Sequence, residues 1–255
     1  MMSEFSKYLN IVLIIALMYT IYNMNYVLIT AAGKGTRANL GVPKQFYEVN
    51  GRPLISYTLE VFNKCSNIDC IVLIIDKDHL HSDIIQSLRN DYRKIKYVVE
   101  GGETNQQSIF NALNYLNDIA KDDDFILIHD GVRCLVTEDI IVNNIEIASK
   151  YGNAITAIPC NEAMLYTEDG FSSSKQINRD LMVKTQTPHC VRFGYGKEIK
   201  NYILSKGINN SIALCTMIIE FGDKVYFSKG SNSNFKITNP EDIELFTCFL
   251  NSRNK

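Results

Sequence analysis

A short apolar run that ends in a loop of alanines and glycines constrains this 255-residue chain more than any other feature. The run Tyr26–Thr30 (YVLIT) has the length and composition of a buried first strand. It passes directly into Ala31–Arg37 (AAGKGTR), whose small residues let the backbone approach a ligand closely and whose glycines can adopt positive φ. Such a loop can turn several N–H groups toward one anion. The stretch therefore predicts a strand followed by an anion-binding loop.

Two cations accompany the loop. Arg37 and Lys44 suit a triphosphate better than a neutral ligand. The spacing is not that of a Walker loop. The glycines from Gly33 onward mimic a dinucleotide fingerprint, but prolines and a glycine interrupt the helix that should follow, and the ribose-binding acid is missing. A NAD-dependent dehydrogenase is thus an alternative that absence of NAD binding would eliminate.

Several motifs together carry a family resemblance. AAGKGTR, PKQF and NGRPLISYTLEVF resemble the opening of the cytidylyltransferases of the 2-C-methyl-D-erythritol 4-phosphate and ribitol 5-phosphate type. Further segments follow in family order: GGETNQQS at 101–108, HDGVR at 129–133, QTP at 186–188 and NFKITNPEDI at 234–243. One glycine loop is a weak signal, whereas this ordered set is specific.

The hydrophobic pattern predicts an α/β fold in which an open, mostly parallel twisted sheet is flanked by helices. The resemblance implies a Rossmann-like nucleotidyltransferase fold, formed here by one domain over residues 24–255. The polar stretch 160–188 predicts a β-arm that protrudes from the sheet. Further strands are expected at 69–76, 96–100, 124–129, 153–159 and 224–228. Helices are expected at 53–64, 78–94, 137–150, 191–205, 213–221 and from 239 onward.

Residues 1–23 form an apolar N-terminal extension, with no charge between Lys7 and Lys34. Its core, Tyr8–Tyr22, is shorter than the ~20 residues that a membrane span needs. It lacks the basic region and the small-residue cleavage site of a signal peptide. We interpret the extension as a dispensable addition from a misassigned start, or at most a weak membrane tether, and rank secretion last. The expected location is cytoplasmic, with membrane contact only if the extension is real.

Composition excludes several classes of protein. The net charge of -2 gives no basic excess, so nucleic acid is not an expected partner. The seven cysteines are scattered, and none forms a CxxC or Cys/His metal motif. They are typical of reduced thiols in a cytosolic protein.

The candidate site residues gather around the predicted sheet edge. Asp130 follows a buried strand, where open α/β sheets bind ligands, and could hold Mg²⁺ between phosphates. By resemblance, Arg37 and Lys44 stabilise the leaving phosphates, and Lys236 steadies the pentavalent phosphorus. The resemblance also implies a nucleotide pocket formed by Ala31, Ala32, Gly33, Gly35, Gly102, Ser108 and Asp130. Arg179 and Thr187 would meet the phosphate of the acceptor.

The resemblance implies transfer of CMP from CTP to a polyol phosphate, with release of pyrophosphate. Ribitol 5-phosphate is our first candidate acceptor and 2-C-methyl-D-erythritol 4-phosphate the alternative. In the family the β-arm reaches across a dimer, so a homodimer is expected. Positions that depart from the motifs of the family include Asn105, Cys134, Ala163 and Ile212. These departures leave a third hypothesis open, a non-catalytic nucleotide-binding relic.

Overall fold

The computed structural model describes residues 23–33, 41–209 and 211–253. The strands of its central sheet are β1 Asn25–Ala31, β4 Cys70–Ile75, β5 Ile95–Glu100, β6 Phe125–Asp130, β7 Asn153–Pro159, β10 Val183–Arg192 and β11 Phe227–Lys229. Shorter strands lie outside this sheet: β2 Glu48–Val49, β3 Arg52–Pro53, β8 Met164–Tyr166 and β9 Lys175–Ile177. The helices are α1 Leu54–Lys64, α2 Asp83–Asp91, α3 Asn105–Tyr115, α4 Glu138–Tyr151, α5 Phe193–Ser205, α6 Leu214–Phe221 and α7 Pro240–Arg253.

The seven strands of the sheet lie in the order β11-β7-β10-β6-β1-β4-β5. β1 is central and pairs in parallel with β4 on one side and β6 on the other. β5 continues the parallel pairing beyond β4, while β10 runs antiparallel to both β6 and β7. The carboxyl ends of β1, β4, β5 and β6 therefore meet at one edge. The register there places Thr30 beside Asp130.

Both faces of the sheet are buried, because successive side chains of a strand point to opposite sides. In β1, Val27 and Ile29 belong to one apolar cluster, which α1, α2 and α4 cover. Tyr26 and Leu28 belong to the cluster on the other face, which α3, α5 and α6 cover. Burial on both sides explains why these strands are continuous apolar runs in the sequence. The predicted fold class is confirmed.

One strand of the sheet differs from the prediction. We expected the chain up to residue 188 to belong to the arm and a helix to begin at Val191, but β10 extends to Arg192 within the central sheet. A break in its register between Thr185 and His189 accommodates Pro188, which cannot donate a hydrogen bond to a neighbouring strand. The sequence did not predict this strand because its polar composition and its proline are not typical of a central strand.

The arm itself contains β8 and β9, which pair antiparallel as a separate two-stranded sheet. Several of its apolar side chains are exposed, among them Leu165, Phe171 and Leu181. In the described part of the chain, none of the helices combines the length and the apolar character that crossing a membrane would require. The predicted extension, residues 1–23, lies outside the described residues apart from residue 23.

Candidate active site

A cavity of about 550 Å³ opens at the edge where β1, β5 and β6 end. Because the carboxyl ends of parallel strands meet there, segments far apart in the sequence contribute to one site. Most of the predicted site residues line it together. The described lining residues are Thr30, Ala31, Ala32, Gly33, Lys44, Gln45, Gly102, Glu103, Thr104, Asn105, Ser108, Asp130, Val132, Ile212 and Lys236.

A single turn of 3-10 helix, Lys44–Phe46, holds Lys44 at the cavity. Pro43 begins the turn, and its carbonyl accepts a hydrogen bond from the N–H of Phe46 at 2.8 Å. The buried Gln45 ties the turn to the end of β1, since its Nε2 donates to the carbonyl of Ala31 at 2.7 Å. Sequence reasoning assigned no role to Gln45, although the PKQF motif contains it. This bond fixes Lys44 relative to the loop that follows β1.

Asp130, which also lines the cavity, is the centre of a charged cluster. Its Oδ1 accepts a hydrogen bond from Lys236 Nζ at 2.8 Å, and its Oδ2 accepts one from Arg133 Nε at 2.9 Å. Burial alone would raise the pKa of this carboxyl, but Lys236 and Arg133 outweigh it and hold the pKa well below its usual range. The carboxylate is therefore ionised at neutral pH. The Lys236 side chain remains 42% exposed, so a ligand can reach its ammonium group.

Lys236 is positioned by the segment that precedes it. The fully buried Asn234 donates through Nδ2 to the carbonyl of Thr187 at 2.9 Å. The carbonyl of Asn234 accepts from Arg133 Nη1 at 2.9 Å. Arg133 thus joins the Asp130 carboxylate to the backbone two residues before Lys236. Sequence reasoning missed the positioning role of Asn234, for which the NFK motif was the only signal.

Thr187 lies directly behind Asp130. Its hydroxyl accepts from the backbone N–H of Asp130 at 3.1 Å and lies 3.1 Å from Nδ1 of His129. Nε2 of His129 faces the carbonyl of Arg133 at 3.4 Å, so this nitrogen carries the proton and Thr187 donates to Nδ1. Burial lowers the pKa of His129 to about 3, which keeps the ring neutral at neutral pH. The predicted contact of Thr187 with the acceptor stays a prediction.

Gly102 and Ser108 line the cavity at the beginning of α3. Ser108 Oγ accepts from the N–H of Gly102 and donates to the carbonyl of Thr104, both at 2.9 Å. Ser108 therefore shapes the wall through the backbone of its neighbours. At Gly101, a Cβ would stand 2.2 Å from that of Ala32, so only glycine lets the ends of β1 and β5 approach this closely.

Gly33 differs from the expectation. Its φ does not lie in the left-handed region, and a Cβ added to it would meet nothing within 4 Å. Neither backbone conformation nor packing requires glycine at this position. Its contribution is open space at the wall of the cavity.

Four predicted residues are absent from the described lining of this cavity, and one of them is Thr187, which lies behind Asp130. Gly35 and Arg37 lie outside the described residues, and their roles stay predictions. Arg179 lies at the base of the arm, where it lines a separate hollow with Asn161 and Met182. Its Nη1 donates to the carbonyl of Asn161 at 3.0 Å, and its side chain is 56% exposed. Within one chain, Arg179 is not part of the main cavity.

Cys134 stands where the family motif has proline. Its buried thiol donates to the carbonyl of Leu54 at 3.1 Å, the first residue of α1. Burial raises the pKa of this thiol to about 12, so it is a neutral donor. Cys134 therefore ties the turn after β6 to α1 and carries no charge.

The residues at the cavity fit the predicted Mg²⁺. Among the described residues, no group of three or more His, Cys, Asp or Glu side chains could hold a metal ion. Mg²⁺ at nucleotide sites usually takes one or two carboxylates together with phosphate oxygens, so it needs no such group. Asp130 accepts one hydrogen bond on each oxygen, which leaves further lone pairs on both. Asp130 is thus a carboxylate that could hold a metal together with the phosphates, and Glu103 also lines the cavity.

Comparisons with known proteins agree with this geometry. Residues 25–252 match the sequence profile of the family described as 2-C-methyl-D-erythritol 4-phosphate cytidylyltransferase. The chain is similar to a ribitol-5-phosphate cytidylyltransferase of Lacticaseibacillus paracasei, with 33% identity over 89% of this chain and 97% of that protein. It is 37% identical to a 2-C-methyl-D-erythritol 4-phosphate cytidylyltransferase of Clostridium perfringens, over 87% of this chain and 96% of that protein.

Solved structures show the same likeness. The structure of a 4-diphosphocytidyl-2C-methyl-D-erythritol synthase from Anaerococcus prevotii superposes with a TM-score of 0.77 and 28% identity, covering 90% of this chain and 99% of that one. A 2-C-methyl-D-erythritol 4-phosphate cytidylyltransferase from Francisella tularensis gives a TM-score of 0.73 at 27% identity, covering 89% and 99%. The match extends over nearly the full length of each relative.

Proposed function

Because this chain belongs to the 2-C-methyl-D-erythritol 4-phosphate cytidylyltransferase family, a family of CTP-dependent transferases, we propose that it couples CMP to ribitol 5-phosphate. Pyrophosphate is the second product. The observation that carries the proposal is the cavity at the sheet edge, which Lys44 and Lys236 line together with the small residues Ala31, Ala32 and Gly33. Two cations beside a backbone that a ligand can approach closely suit a nucleoside triphosphate.

The reaction is a direct displacement at phosphorus. An oxygen of the acceptor's phosphate forms a bond to the α-phosphorus of CTP, and the bond from that phosphorus to the bridging oxygen breaks. The electron pair leaves with pyrophosphate. A phosphate monoester is already largely dianionic at neutral pH, so it needs no strong general base. Consistent with this, no histidine or cysteine is among the described residues that line the cavity.

Catalysis then depends on position and charge. Lys236 neutralises charge on the oxygens of the phosphorus undergoing substitution, and Lys44 neutralises the departing phosphates. Asp130 holds Lys236 until the nucleotide is bound, and it would hold Mg²⁺, which would supply further neutralisation of phosphate charge. Arg133 keeps the Asp130 carboxylate oriented, since it contacts both Asp130 and the backbone of Asn234.

A second acceptor has a specific observation in its favour. Relatives named for 2-C-methyl-D-erythritol 4-phosphate reach 37% and 38% identity, whereas those named for ribitol 5-phosphate reach 33% and 34%. Against this, Ala163 and Ile212 replace residues of the family motif at positions expected near the hydroxyl groups of the acceptor. We therefore keep ribitol 5-phosphate as the first candidate.

The test is pyrophosphate release by the full chain with CTP and Mg²⁺, offered each acceptor separately. Release with ribitol 5-phosphate and none with 2-C-methyl-D-erythritol 4-phosphate supports the proposal. The reverse selects the second acceptor. No pyrophosphate release with either acceptor, from a protein that binds CTP, overturns the proposal and leaves a third polyol phosphate or the nucleotide-binding relic.

The arm supports a homodimer as the working unit. Its exposed apolar side chains and the distance of Arg179 from the main cavity fit an arm that completes the site of a partner. Mixing Lys236→Ala chains with Arg179→Ala chains tests this. Each mixed dimer then contains one intact site, so random exchange restores about one quarter of the wild-type activity. Recovery of none, after verified subunit exchange, removes the arm from the partner's site.

The substrates also bear on location. CTP is a cytoplasmic metabolite, and we propose that the reaction takes place in the cytoplasm.

A further inference from the structure

A buried glutamine of β10 holds the loop that connects β11 to Lys236. The side chain of Gln186 is 2% exposed. Its Nε2 donates to the carbonyl of Ser231 at 2.8 Å, and its Oε1 accepts from the N–H of Ser231 at 3.2 Å. One side chain thus pairs with both backbone groups of a residue, as a residue of a neighbouring strand would. The same Oε1 lies 3.4 Å from Nδ2 of Asn234, so the amide holds the loop at two points.

Gly230 lets this loop approach Gln186 closely. A Cβ on Gly230 would stand 2.5 Å from Oε1 of Gln186 and 3.0 Å from the carbonyl oxygen of Ala157. The N–H of Gly230 donates to that carbonyl at 2.9 Å, so the loop leaves β11 directly against β7. A larger residue at position 230 would therefore push the amide of Gln186 away from Ser231.

The break in the register of β10 places two consecutive residues beside the ion pair of the site. Pairing with β7 is interrupted after Thr185. Irregularities of this kind redirect side chains and are frequent next to active sites. Gln186 holds the loop before Lys236, whereas the hydroxyl of Thr187 accepts from the N–H of Asp130 at 3.1 Å. β10 therefore holds backbone on both sides of the Asp130–Lys236 pair.

Lys236 needs a fixed backbone, because its present partner cannot fix it during the reaction. Its Nζ donates to the carboxylate of Asp130 at 2.8 Å, and a nucleotide that engages the ammonium group must compete with this bond. On the carboxyl side the segment is anchored, since the N–H of Ile237 donates to the carbonyl of Val132 at 3.0 Å. On the amino side, the loop that Gln186 holds is the anchor.

We propose that Gln186 is a positioning residue for Lys236. Its amide fixes the loop 231–235, so that the ammonium group stands where charge develops on the oxygens of the transferring phosphorus. The proposal rests on the proposed function, in which Lys236 acts in the transition state. Gln186 is absent from the described lining of the cavity and acts through the backbone.

A matched pair of variants tests this role. Gln186→Met keeps the length of the side chain and removes both hydrogen bonds to Ser231. Asn153→Leu is the control, because the buried Asn153 holds the segment on the other side of β11 in the same way. Its Nδ2 donates to the carbonyl of Lys224 at 2.9 Å, and its Oδ1 accepts from the N–H of Tyr226 at 3.1 Å. Both variants should lose similar stability, because each deprives two backbone groups of a side-chain partner.

Pyrophosphate release from CTP and Mg²⁺, with the acceptor that wild type uses, separates the two variants. Gln186→Met should lower kcat roughly ten- to a hundredfold and change the KM for CTP less, because the lost positioning acts in the transition state. Asn153→Leu should retain the wild-type kcat. The double variant Gln186→Met/Lys236→Ala should be no slower than Lys236→Ala alone, because Gln186 acts through the ammonium group that is already removed.

Two further measurements keep the proposal testable. Gly230→Ala displaces the amide of Gln186 without changing it, and it should reproduce the loss of kcat even if Gln186→Met fails to fold. Amide hydrogen exchange at 231–236 should be about tenfold faster in Gln186→Met than in wild type, and unchanged there in Asn153→Leu.

Three outcomes would overturn the role of Gln186. They are an unchanged kcat in Gln186→Met, an equal loss of kcat in Asn153→Leu, and additive losses in the double variant. Failure of the proposed function is distinguishable, because it appears as a wild type that releases no pyrophosphate. Hydrogen exchange then still decides whether Gln186 orders the segment of Lys236, and unchanged exchange at 231–236 overturns the proposal by itself.

Discussion

Two buried histidines should make this protein lose stability in mild acid. His129 packs on the ring of Phe62 at 4.9 Å between centroids, and His189 is buried with no hydrogen-bond partner for Nε2 among the described residues. Burial lowers the pKa of His129 to about 3 and that of His189 to about 4, from an ordinary value of 6.5. The charge of Asp130 opposes this shift, and that of Arg133 adds to it.

The sign and size of the effect follow from proton linkage. Below 6.5 the unfolded chain protonates both rings, while the folded protein keeps them neutral until far lower pH. The folded state therefore loses stability as the pH falls through 6.5. Between about pH 7.5 and about pH 5.5, each histidine contributes a loss of about 1.4 kcal/mol, and the two together about 2.7 kcal/mol.

Equilibrium unfolding in urea at the two pH values measures this loss. His189→Gln removes one titrating group. Between the two pH values, the free energy of unfolding of this variant should therefore decrease by about 1.4 kcal/mol less than that of wild type, whatever its absolute stability. The exposed His81 provides the control, and His81→Gln should behave as wild type. The reasoning is refuted if His189→Gln loses as much stability as wild type, or if the ring NMR signals of His129 or His189 shift over this range.

Three further predictions concern the site. Lys236→Ala should lower kcat about 10²- to 10³-fold, as removal of a single transition-state contact does. The protein should stay folded because Lys236 is half exposed, and thermal unfolding checks this. Lys229→Ala on β11 is the control. Gln45→Leu leaves the carbonyl of Ala31 unsatisfied, so it should cost about 1–3 kcal/mol in urea unfolding and raise the KM for CTP. Asn234→Ala should lower both stability and kcat, because the carbonyl of Thr187 loses its donor and Lys236 loses its anchor; an unchanged kcat would show that Asn234 does not position Lys236.

The hydrophobic pattern of the sequence was enough to predict most of the fold. The run 69–76 predicted β4 because it is short, continuously apolar and rich in isoleucine, as a strand buried on both faces is. Residues 78–94 were predicted as one helix, whereas the structure has a 3-10 turn at Lys77–His79 and α2 only from Asp83. Periodicity did not reveal the intervening turn, where Ser82 donates to the carbonyl of His79. Local hydrogen bonds of this kind interrupt a helix without changing its apolar spacing.

The residues of the candidate site also differ in whether the sequence could predict them. Asp130 could be predicted because a carboxylate at the end of a buried strand must lie at the ligand-binding edge of the sheet. Gln45 and Asn234 could not be assigned roles from sequence, since each acts through a partner distant along the chain. Such pairings depend on how loops meet in space, and hydrophobic pattern contains no information about them.

The placement of the departures from the family motifs argues against a nucleotide-binding relic. Asn105 and Cys134 both donate a hydrogen bond to a backbone carbonyl, so each holds a neighbouring segment and neither brings a charge to the cavity. Lys44, Asp130 and Lys236, which line the cavity together, all match the motifs of the family. A protein that only binds a nucleotide has no need of a group that stabilises the transition state. If this chain had lost its activity, we would expect substitutions among the charged residues as well as among the residues that hold neighbouring segments. Retained charges together with altered supporting contacts are what a working cytidylyltransferase with a changed pocket would show.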